Sequence, residues 1–317
     1  MKDYEVLLYY KYVPIADPAA IRDEQERICR ELELKGRILV APEGINGTVS
    51  GLKAHTQAYR RLMEQHALFQ GIEFKIDEHD AHTFLKLHVR VKKEIVRFEV
   101  EGLDVPQQAG PYVEPEEFRQ VLRQAETDEN ILILDARSDY EHRVGKFKNA
   151  LTLDIHNFRE LPQKLPELEP HKGKKIYTYC TGGIKCEKVT AWMKQQGFEE
   201  VYQLHGGIVR YAKEVGGEDF EGSCYVFDQR VVVPVNEVNP RTVGHCRICD
   251  TPTEKMINCA NPECNEHFLI CESCAWQLDG CCSEACKAHP RKRKYDGTGY
   301  YLRGVNSKQY VNSSTGD

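Results

Sequence analysis

The sequence has no long apolar run, no dinucleotide-binding glycine motif and no internal repeat. Without a stretch of about 18 apolar residues, a transmembrane helix is not expected. Charged and polar side chains interrupt the first residues, MKDYEVLLYYKYVPI, so they do not resemble a signal peptide. The absence of a GxGxxG segment argues against a Rossmann-type flavin or nicotinamide site. We therefore expect a cytoplasmic protein whose 317 residues form two or three domains.

Cysteine, by contrast, is abundant and unevenly distributed. The chain has 13 cysteines, and nine of them lie between Cys246 and Cys286. In a small secreted protein such a cluster would indicate disulfides. Because this chain is large and shows no export signal, we interpret the cluster as reduced thiols that bind metal.

Residues 1–105 predict a ferredoxin-like (acylphosphatase-like) α+β domain, because their elements follow the order βαββαβ. Asp17 and Pro18 are typical of a helix start, and Gly36 is expected to close that helix. A turn is expected around Gly44 and Asn46-Gly47; its segment PEGINGT would also offer backbone N–H groups to an anion. The predicted elements are a strand Tyr4–Tyr12, a helix from Pro18 to about Leu34, two strands within Arg37–Val49, a helix Lys53–His66, and strands Ile72–Ile76 and Leu85–Val100.

Residues 112–221 predict an α/β domain with a parallel sheet, because helical and apolar strand segments alternate. Pro106–Pro115 is rich in proline and glycine and is expected to be a linker. The predicted elements are a helix Pro115–Gln124, strands Ile131–Leu134, Ala150–Leu153 and Lys175–Tyr179, a helix Cys186–Gln196, a strand Val201–Leu204 and a last helix from Gly207.

The segment KIYTYCTGGIKCEK places Cys180 directly after a buried strand. In parallel sheets, ligands bind at the carboxyl ends of strands. The loop Thr181, Gly182, Gly183 and Ile184 can curl with its N–H groups inward, which stabilises an anion, and Lys185 adds positive charge. A Cys180 sulfur in that cradle has a lowered pKa and is a nucleophile at neutral pH. A buried structural cysteine is the alternative.

Two further residues are candidates for this site. Cys186 could resolve an oxidised or persulfidated Cys180 by forming a disulfide, or it could simply pack against the sheet. Arg137, at the end of the first buried strand, is expected to support the site or to bind phosphate, whereas Asp135 is expected to hold the loop.

The C-terminal segment, residues 222–317, predicts a cysteine-rich zinc module. Paired CxxC motifs present sulfurs to one tetrahedral ion, and eight cysteines would fill two structural zinc sites. We expect interleaved sites, with one ion bound by Cys246, Cys249, Cys271 and Cys274 and the other by Cys259, Cys264, Cys282 and Cys286. All-thiolate ligation would also permit an iron–sulfur cluster.

The middle segment resembles the rhodanese family. The motif Leu134-Asp135-Ala136-Arg137 is similar to the D-x-R of that family. The segment Gly145–Ala150 is similar to its G-H-I-x-G-A turn, with Lys146 in place of histidine. The segment Leu204–Gly207 is similar to its L-x-G-G motif. Together with the loop CTGGIKCEK and the tail motifs CANPECN and CCSEAC, the whole chain resembles the bacterial tRNA uridine(34) hydroxylase family. Lys185 stands where that family is expected to have arginine, so a bidentate contact is lost.

The resemblance implies oxygen-dependent hydroxylation of the wobble uridine of tRNA to 5-hydroxyuridine, with molecular oxygen as co-substrate. It also implies binding of the anticodon loop rather than DNA or a membrane. The basic and aromatic segment after Cys286 suits an unpaired loop, so Arg291, Lys292, Arg293 and Lys294 are expected to bind tRNA. A solvated tail is the simpler interpretation of that segment.

Two other functions are compatible with the residues. A persulfide on Cys180 could be transferred to an acceptor in tRNA thiolation, which would make the protein a sulfurtransferase. A module that senses oxidants through Cys180 and Cys186 would leave tRNA unchanged.

Overall fold

The computed structural model describes residues 2–301. Its N-terminal part is a five-stranded sheet of order β4-β1-β3-β2-β5, with two helices on one face. All neighbouring strands are antiparallel except β5, which pairs parallel to β2. The predicted ferredoxin-like (acylphosphatase-like) fold is confirmed. The elements are β1 (Tyr4–Tyr12), α1 (Pro18–Glu31), β2 (Lys35–Ala41), β3 (Gly44–Leu52), α2 (Lys53–Gln65), β4 (Phe74–His79) and β5 (Leu87–Val91).

The alternation of side chains along β1 gives this sheet two different faces. Leu7 and Tyr9 are buried in the core with residues of both helices. Leu8 and Tyr10 point to the opposite face, which the helices leave open. This open face lies toward the middle of the molecule.

Three local predictions in the N-terminal part are wrong. The hairpin between β2 and β3 turns at Pro42-Glu43, since Ala41 pairs with Gly44. Asn46 and Gly47 lie inside β3, where a Cβ on Gly47 would lie 2.3 Å from the Tyr9 hydroxyl oxygen. Helix α1 ends at Glu31, and Gly36 belongs to β2, where its missing side chain allows close approach of β3. These glycines serve packing rather than turns.

The middle part is a five-stranded sheet of order β6-β11-β10-β7-β9, and every pairing in it is parallel. The predicted parallel sheet is confirmed. Helices α4 and α8 pack on one face and α7 on the other. The elements are α3 (Val105–Gln108), β6 (Tyr112–Val113), α4 (Pro115–Gln124), β7 (Ile131–Asp135), α5 (Asp139–His142), β8 (Gly145–Phe147), β9 (Leu151–Thr152), α6 (Leu165–Leu168) between 3-10 turns Phe158–Lys164 and Glu169–His171, β10 (Lys175–Tyr179), α7 (Ile184–Gln195), β11 (Val201–Leu204) and α8 (Gly207–Val215).

The connection between the two sheets is more ordered than predicted. The expected strand over Leu85–Val100 is limited to β5, because Phe98 is instead buried in the core of the middle part, stacked on Phe158 at 4.7 Å. The expected linker Pro106–Pro115 contains the end of α3 and β6, which pairs with β11. Helix α7 begins at Ile184, two residues before the predicted start.

The C-terminal part contains short strands and helices around the cysteines. They are β12 (Phe220–Tyr225), β13 (Val232–Pro234), β14 (Met256–Asn258), β15 (His267–Leu269), α9 (Glu272–Gln277) and α10 (Glu284–Lys287). Strand β12 pairs with β13 and with β8 of the middle part. Two further basic residues of the segment after Cys286, Arg303 and Lys308, lie outside the described residues. Within residues 2–301, no helix combines the length and apolar character that a membrane span requires.

A buried lysine joins the N-terminal sheet to helix α7. The side chain of Lys188 is 3% exposed, and its Nζ lies 2.9 Å from Glu43 and 2.6 Å from Glu94. It also donates to the carbonyl oxygen of Val96 at 3.0 Å. The two carboxylates belong to the β2–β3 turn and to the segment after β5. Lys188 therefore holds the N-terminal sheet at a fixed place against the helix that follows Cys180.

We predict that Lys188→Met destabilises the protein by about 2 kcal/mol, less than a fully buried pair would cost, since both carboxylates keep some exposure. The midpoint of thermal unfolding should fall by a few degrees. Lys148→Met is the control, because it removes an exposed pair with Glu126 and should leave the unfolding midpoint nearly unchanged. Equal falls in the unfolding midpoint of the two variants would contradict the role of Lys188 in holding the N-terminal sheet against α7.

Candidate active site and metal centres

Cys180 lies where β10 ends, in a short loop that wraps around its sulfur. The N–H of Gly183 donates to Sγ at 3.2 Å. Gly183 adopts a left-handed conformation, φ 100°, immediately before α7, which glycine permits without strain. Gly207 closes the loop from behind, since a Cβ there would lie 2.5 Å from the Cys180 carbonyl oxygen. The L-x-G-G motif thus allows α8 to pack directly on the loop.

The surroundings of Cys180 favour its thiolate. Burial by itself raises the pKa of this thiol, but a hydrogen bond from Cys186, the charge of Lys185 and backbone N–H groups at the start of α7 outweigh it. The net result lowers the pKa to about 6. Burial and the neighbouring Cys180 sulfur instead raise the pKa of Cys186 well above its usual value. At neutral pH the pair therefore consists of a thiolate and a thiol that donates to it.

Lys185 and Arg137 hold this loop from inside the domain. The ammonium of Lys185 pairs with the buried carboxylate of Glu141. Arg137 is fully buried; it pairs with Asp135 at 2.7 Å and donates to the Gly145 carbonyl oxygen at 2.7 Å. Such a guanidinium does not fit the expected contact with substrate or phosphate. Arg137 is placed instead to fix the ends of the strands beneath the loop.

The Cys180 loop faces the open side of the N-terminal sheet across a cleft of about 1410 Å³. Cys180, Thr181 and Gly182 line one wall, while Tyr10 and Lys75 lie on the opposing sheet. The two walls are in contact at their base, where the Tyr10 hydroxyl donates to Glu187 of α7 at 3.0 Å. Glu187 also accepts from Tyr112 at 2.5 Å and from Gln203 at 3.1 Å. The cleft is therefore bounded by both domains, and Cys180, which is 1% exposed, belongs to its wall.

The sequence interpretation missed the residues that the N-terminal domain supplies to this cleft. They are the polar, aromatic and basic side chains of the open sheet face, including Tyr10, Arg37, Asn46, Thr48 and Lys75. Strand alternation could have indicated them. In β4, for example, Phe74 and Ile76 pack toward the helix core, so Lys75 must point to the opposite face.

Eight cysteines of the C-terminal part form two clusters of four. One contains Cys246, Cys249, Cys271 and Cys274, and the other Cys259, Cys264, Cys282 and Cys286; the sulfurs within each lie within 4.8 Å of one another. These are the two interleaved sets expected from the spacing. Both clusters could hold a metal ion.

The sulfur spacings fit a single tetrahedral ion. Four thiolates at about 2.3 Å from zinc would be about 3.8 Å apart. The observed sulfur–sulfur distances are 3.6 Å for Cys249 and Cys271, and 3.7 Å for Cys264 and Cys282. An iron–sulfur cluster places several atoms between its thiolates and would spread them further. Cys281, the one remaining cysteine of the nine between Cys246 and Cys286, is buried and belongs to neither cluster.

The four basic residues expected to bind tRNA have different surroundings. Arg293 donates to the Ala260 carbonyl oxygen at 3.0 Å and lies 4.0 Å from the centre of the Tyr301 ring, so it supports the cysteine module itself. Arg291 pairs with Glu263, and Lys292 with Asp279. Lys294 is exposed. Of the four, Arg293 does not fit the predicted contact with tRNA, because its guanidinium is bonded to carbonyl oxygens of the cysteine module and packs on the Tyr301 ring.

Comparison with known proteins matches all three parts of the chain. Family models described as a UPF0176 acylphosphatase-like domain, a rhodanese-like domain and a rhodanese C-terminal region match residues 4–95, 115–214 and 221–287. The tRNA uridine(34) hydroxylase of Cytophaga hutchinsonii is 52% identical over 306 residues, which cover 96% of this chain and 97% of that relative. The proteins of the same name from Shouchella clausii and Listeria monocytogenes serotype 4a are 50% and 52% identical over 248 residues, covering 77% of this chain and 76% of each relative.

The fold and the site define a rhodanese-domain protein with an acylphosphatase-like domain before it and a cysteine-rich region after it. The chain belongs to the tRNA uridine(34) hydroxylase family. The resemblance seen in the loop and the cysteine motifs is thereby confirmed. The domain boundaries at residues 105, 112 and 221 stay a prediction.

We predict that the rate of Cys180 alkylation by iodoacetamide rises with a midpoint at about pH 6. Because the pKa is lowered, the thiolate predominates above this midpoint and is lost as the pH falls through it. Restricted access would slow the reaction but leave its midpoint in place. Peptide mass spectrometry after timed labelling gives the rate. Cys29, whose pKa burial raises to about 12, is the internal control, and a Cys180 midpoint near 8.5 would contradict the cradle.

We predict about two zinc ions per chain by elemental analysis of the purified protein. Cys246→Ser should lose one of them, because it removes a ligand from the first cluster only. Cys281→Ala is the matched control, since it removes a buried cysteine of the same module that lies in neither cluster, and it should keep both ions. Iron with visible absorbance in protein purified without oxygen would contradict the zinc assignment.

Proposed function

We propose that this protein hydroxylates carbon 5 of the wobble uridine, position 34, in the anticodon loop of tRNA, with molecular oxygen as co-substrate. Relatives that are 50–52% identical over the matched residues are named tRNA uridine(34) hydroxylase. The observation that carries the proposal is the nucleophilic Cys180, with a pKa of about 6, at a cleft of about 1410 Å³. The reaction belongs in the cytoplasm, where tRNA is modified.

Carbon 5 of uracil is a weak nucleophile until a group adds to carbon 6. The thiolate of Cys180 is suited to this addition, which turns the ring into an enolate whose carbon 5 can take up oxygen. When one atom of dioxygen enters the base, the other is reduced to water by two electrons and two protons. Carbon 5 bonds dioxygen as a hydroperoxide, and loss of the C5 proton releases Cys180 from carbon 6. The Cys180 thiolate then takes the outer oxygen as a sulfenic acid, and Cys186 is placed to condense with it to a disulfide, which releases water. An added dithiol reduces that disulfide for the next turnover. The two zinc ions would hold the C-terminal module together.

The cleft suits an unpaired nucleotide. Its volume exceeds that of ordinary small-ligand pockets, about 300–1,000 Å³, so it can take a base with part of its backbone. The aromatic side chains of Tyr140 and Phe227 line it and can stack on bases, and Arg37 is exposed toward it and can contact phosphate. The exposed Lys294 would extend the basic surface over the cysteine module.

We predict that Cys180→Ser folds, binds tRNA with unchanged affinity and makes no 5-hydroxyuridine. A hydroxyl group neither ionises near neutrality nor carries persulfide sulfur. Cys186→Ser should retain its first turnover and lose later ones, since it would fail only in regeneration. Nucleoside mass spectrometry of tRNA treated with purified protein measures both, and Cys29→Ala, which alters a cysteine of the N-terminal core, is the control.

Two results would contradict the assigned roles. Full activity of Cys180→Ser with an inactive Cys186→Ser would mean that Cys186 is the nucleophile. Full activity of both variants would place the oxygen chemistry outside this loop.

A further inference from the structure

Lys75 enters the cleft from the N-terminal domain at the level of the Cys180 loop. It lies on β4 directly opposite Leu8 of β1. The Leu8 side chain touches the loop, since a Cβ on Gly182 would lie 2.7 Å from its Cδ2. Neighbouring residues in register on one sheet face lie side by side. Lys75 is therefore adjacent to the residue on which the reactive loop rests.

The ammonium of Lys75 is held on an aromatic ring. Its Nζ lies 4.7 Å from the centre of the Tyr10 ring. The Tyr10 hydroxyl abuts the loop, since a Cβ on Gly183 would lie 2.8 Å from it, and it donates to Glu187 at 3.0 Å. Tyr10 contacts Lys75 through its ring and Glu187 through its hydroxyl. It therefore holds the Lys75 ammonium next to the Cys180 loop.

Lys75 has no carboxylate partner among the described residues, whereas three other cations that line the cleft have one. Lys185 pairs with Glu141, Arg230 with Asp228 at 2.6 Å, and Arg97 with Glu99. Lys75 is half-buried, and this burial lowers its pKa despite the negative charges of Glu73, Cys180 and Glu187. A cation that has lost part of its water and has no counter-ion is prepared to bind an anion within the cleft.

The addition of Cys180 to uracil creates such an anion. As the bond from Sγ to carbon 6 forms, the electron pair between carbons 5 and 6 shifts toward carbon 4, and the C4 carbonyl oxygen becomes an enolate. No electrons leave the thiolate–base adduct in this step. The geometry points to Lys75 as a catalytic residue that donates a hydrogen bond to this oxygen, an assignment that rests on the function proposed above.

The position of Lys75 favours a base oxygen over a phosphate. Phosphates of a bound anticodon loop remain near solvent, where the exposed Arg37 lies. Lys75 instead lies on an aromatic floor beside the nucleophile, where a stacked pyrimidine would present its carbonyl edge.

The test compares Lys75→Met, which keeps the length of the side chain without its charge, with Lys75→Arg, which keeps the charge. Lys86→Met is the control, because Lys86 is an exposed lysine before β5 that does not line the cleft. For each variant, 5-hydroxyuridine formation is measured at saturating tRNA, together with the affinity for tRNA and its salt dependence. Exchange of the uridine C5 hydrogen with deuterated water in the absence of oxygen isolates the addition step.

Lys75→Met should slow both hydroxylation and hydrogen exchange by about 100-fold, the usual effect of removing one donor to a developing oxyanion. Its affinity for tRNA should stay within about threefold of the wild type. Lys75→Arg should recover part of the rate, and Lys86→Met should match the wild type. Circular dichroism of each variant verifies that it is folded.

Two results would overturn the role of Lys75. A Lys75→Met rate within about threefold of the wild type would remove it from the reaction. A weaker affinity with a reduced salt dependence and an unchanged saturating rate would make it a phosphate contact. If the wild type itself makes no 5-hydroxyuridine, the proposed function fails first, and the role of Lys75 fails with it.

Discussion

A thiolate buried at the end of a strand is unstable unless hydrogen bonds and positive charge replace the water it has lost, and this constraint governs the site around Cys180. The N–H of Gly183, the thiol of Cys186 and the charge of Lys185 together outweigh burial. The deeper residues serve the same end, because Glu141 fixes Lys185 and the Arg137–Asp135 pair fixes the strand ends below. The reactivity of the Cys180 sulfur thus depends on buried residues that do not touch it as well as on those that do.

The N-terminal domain contributes the other half of the site. Lys188 and Glu187, both on the helix that follows Cys180, bind the N-terminal sheet through Glu43 and Tyr10. Helix α7 therefore has two roles. Its first turn stabilises the Cys180 thiolate, and its side binds the sheet that forms the opposing wall of the cleft. A rhodanese domain without this partner would expose its loop to solvent, whereas here the loop faces an aromatic and basic wall that suits a nucleobase.

Local patterns in the sequence were sufficient to predict most helices and strands and the loop that follows Cys180. The apolar run before Cys180, the glycines after it and the CxxC spacings each predicted what the structure contains, because each depends on residues close in sequence. Contacts between distant segments could not be predicted in this way. The prediction of a turn at Gly47 is wrong because the reason for a glycine there lies on another strand. The Tyr9 ring of β1 occupies the volume that a side chain at position 47 would fill. Arg293 was interpreted as a tRNA contact because its partners, the carbonyl groups near Cys259, come close only in the folded module. The wall formed by Tyr10 and Lys75 was missed for the same reason.

The most direct test of a cysteine-dependent oxygen insertion is to treat undermodified tRNA with the purified protein and a dithiol reductant under oxygen-18 gas. Hydroxylation and the exchange of oxygen for sulfur raise the nominal mass of uridine equally, so the isotope is what separates them. The account predicts that wobble uridine acquires one oxygen-18 atom with the wild-type protein and none with Cys180→Ser. An unlabelled product that contains sulfur, or a labelled product from Cys180→Ser, would contradict it.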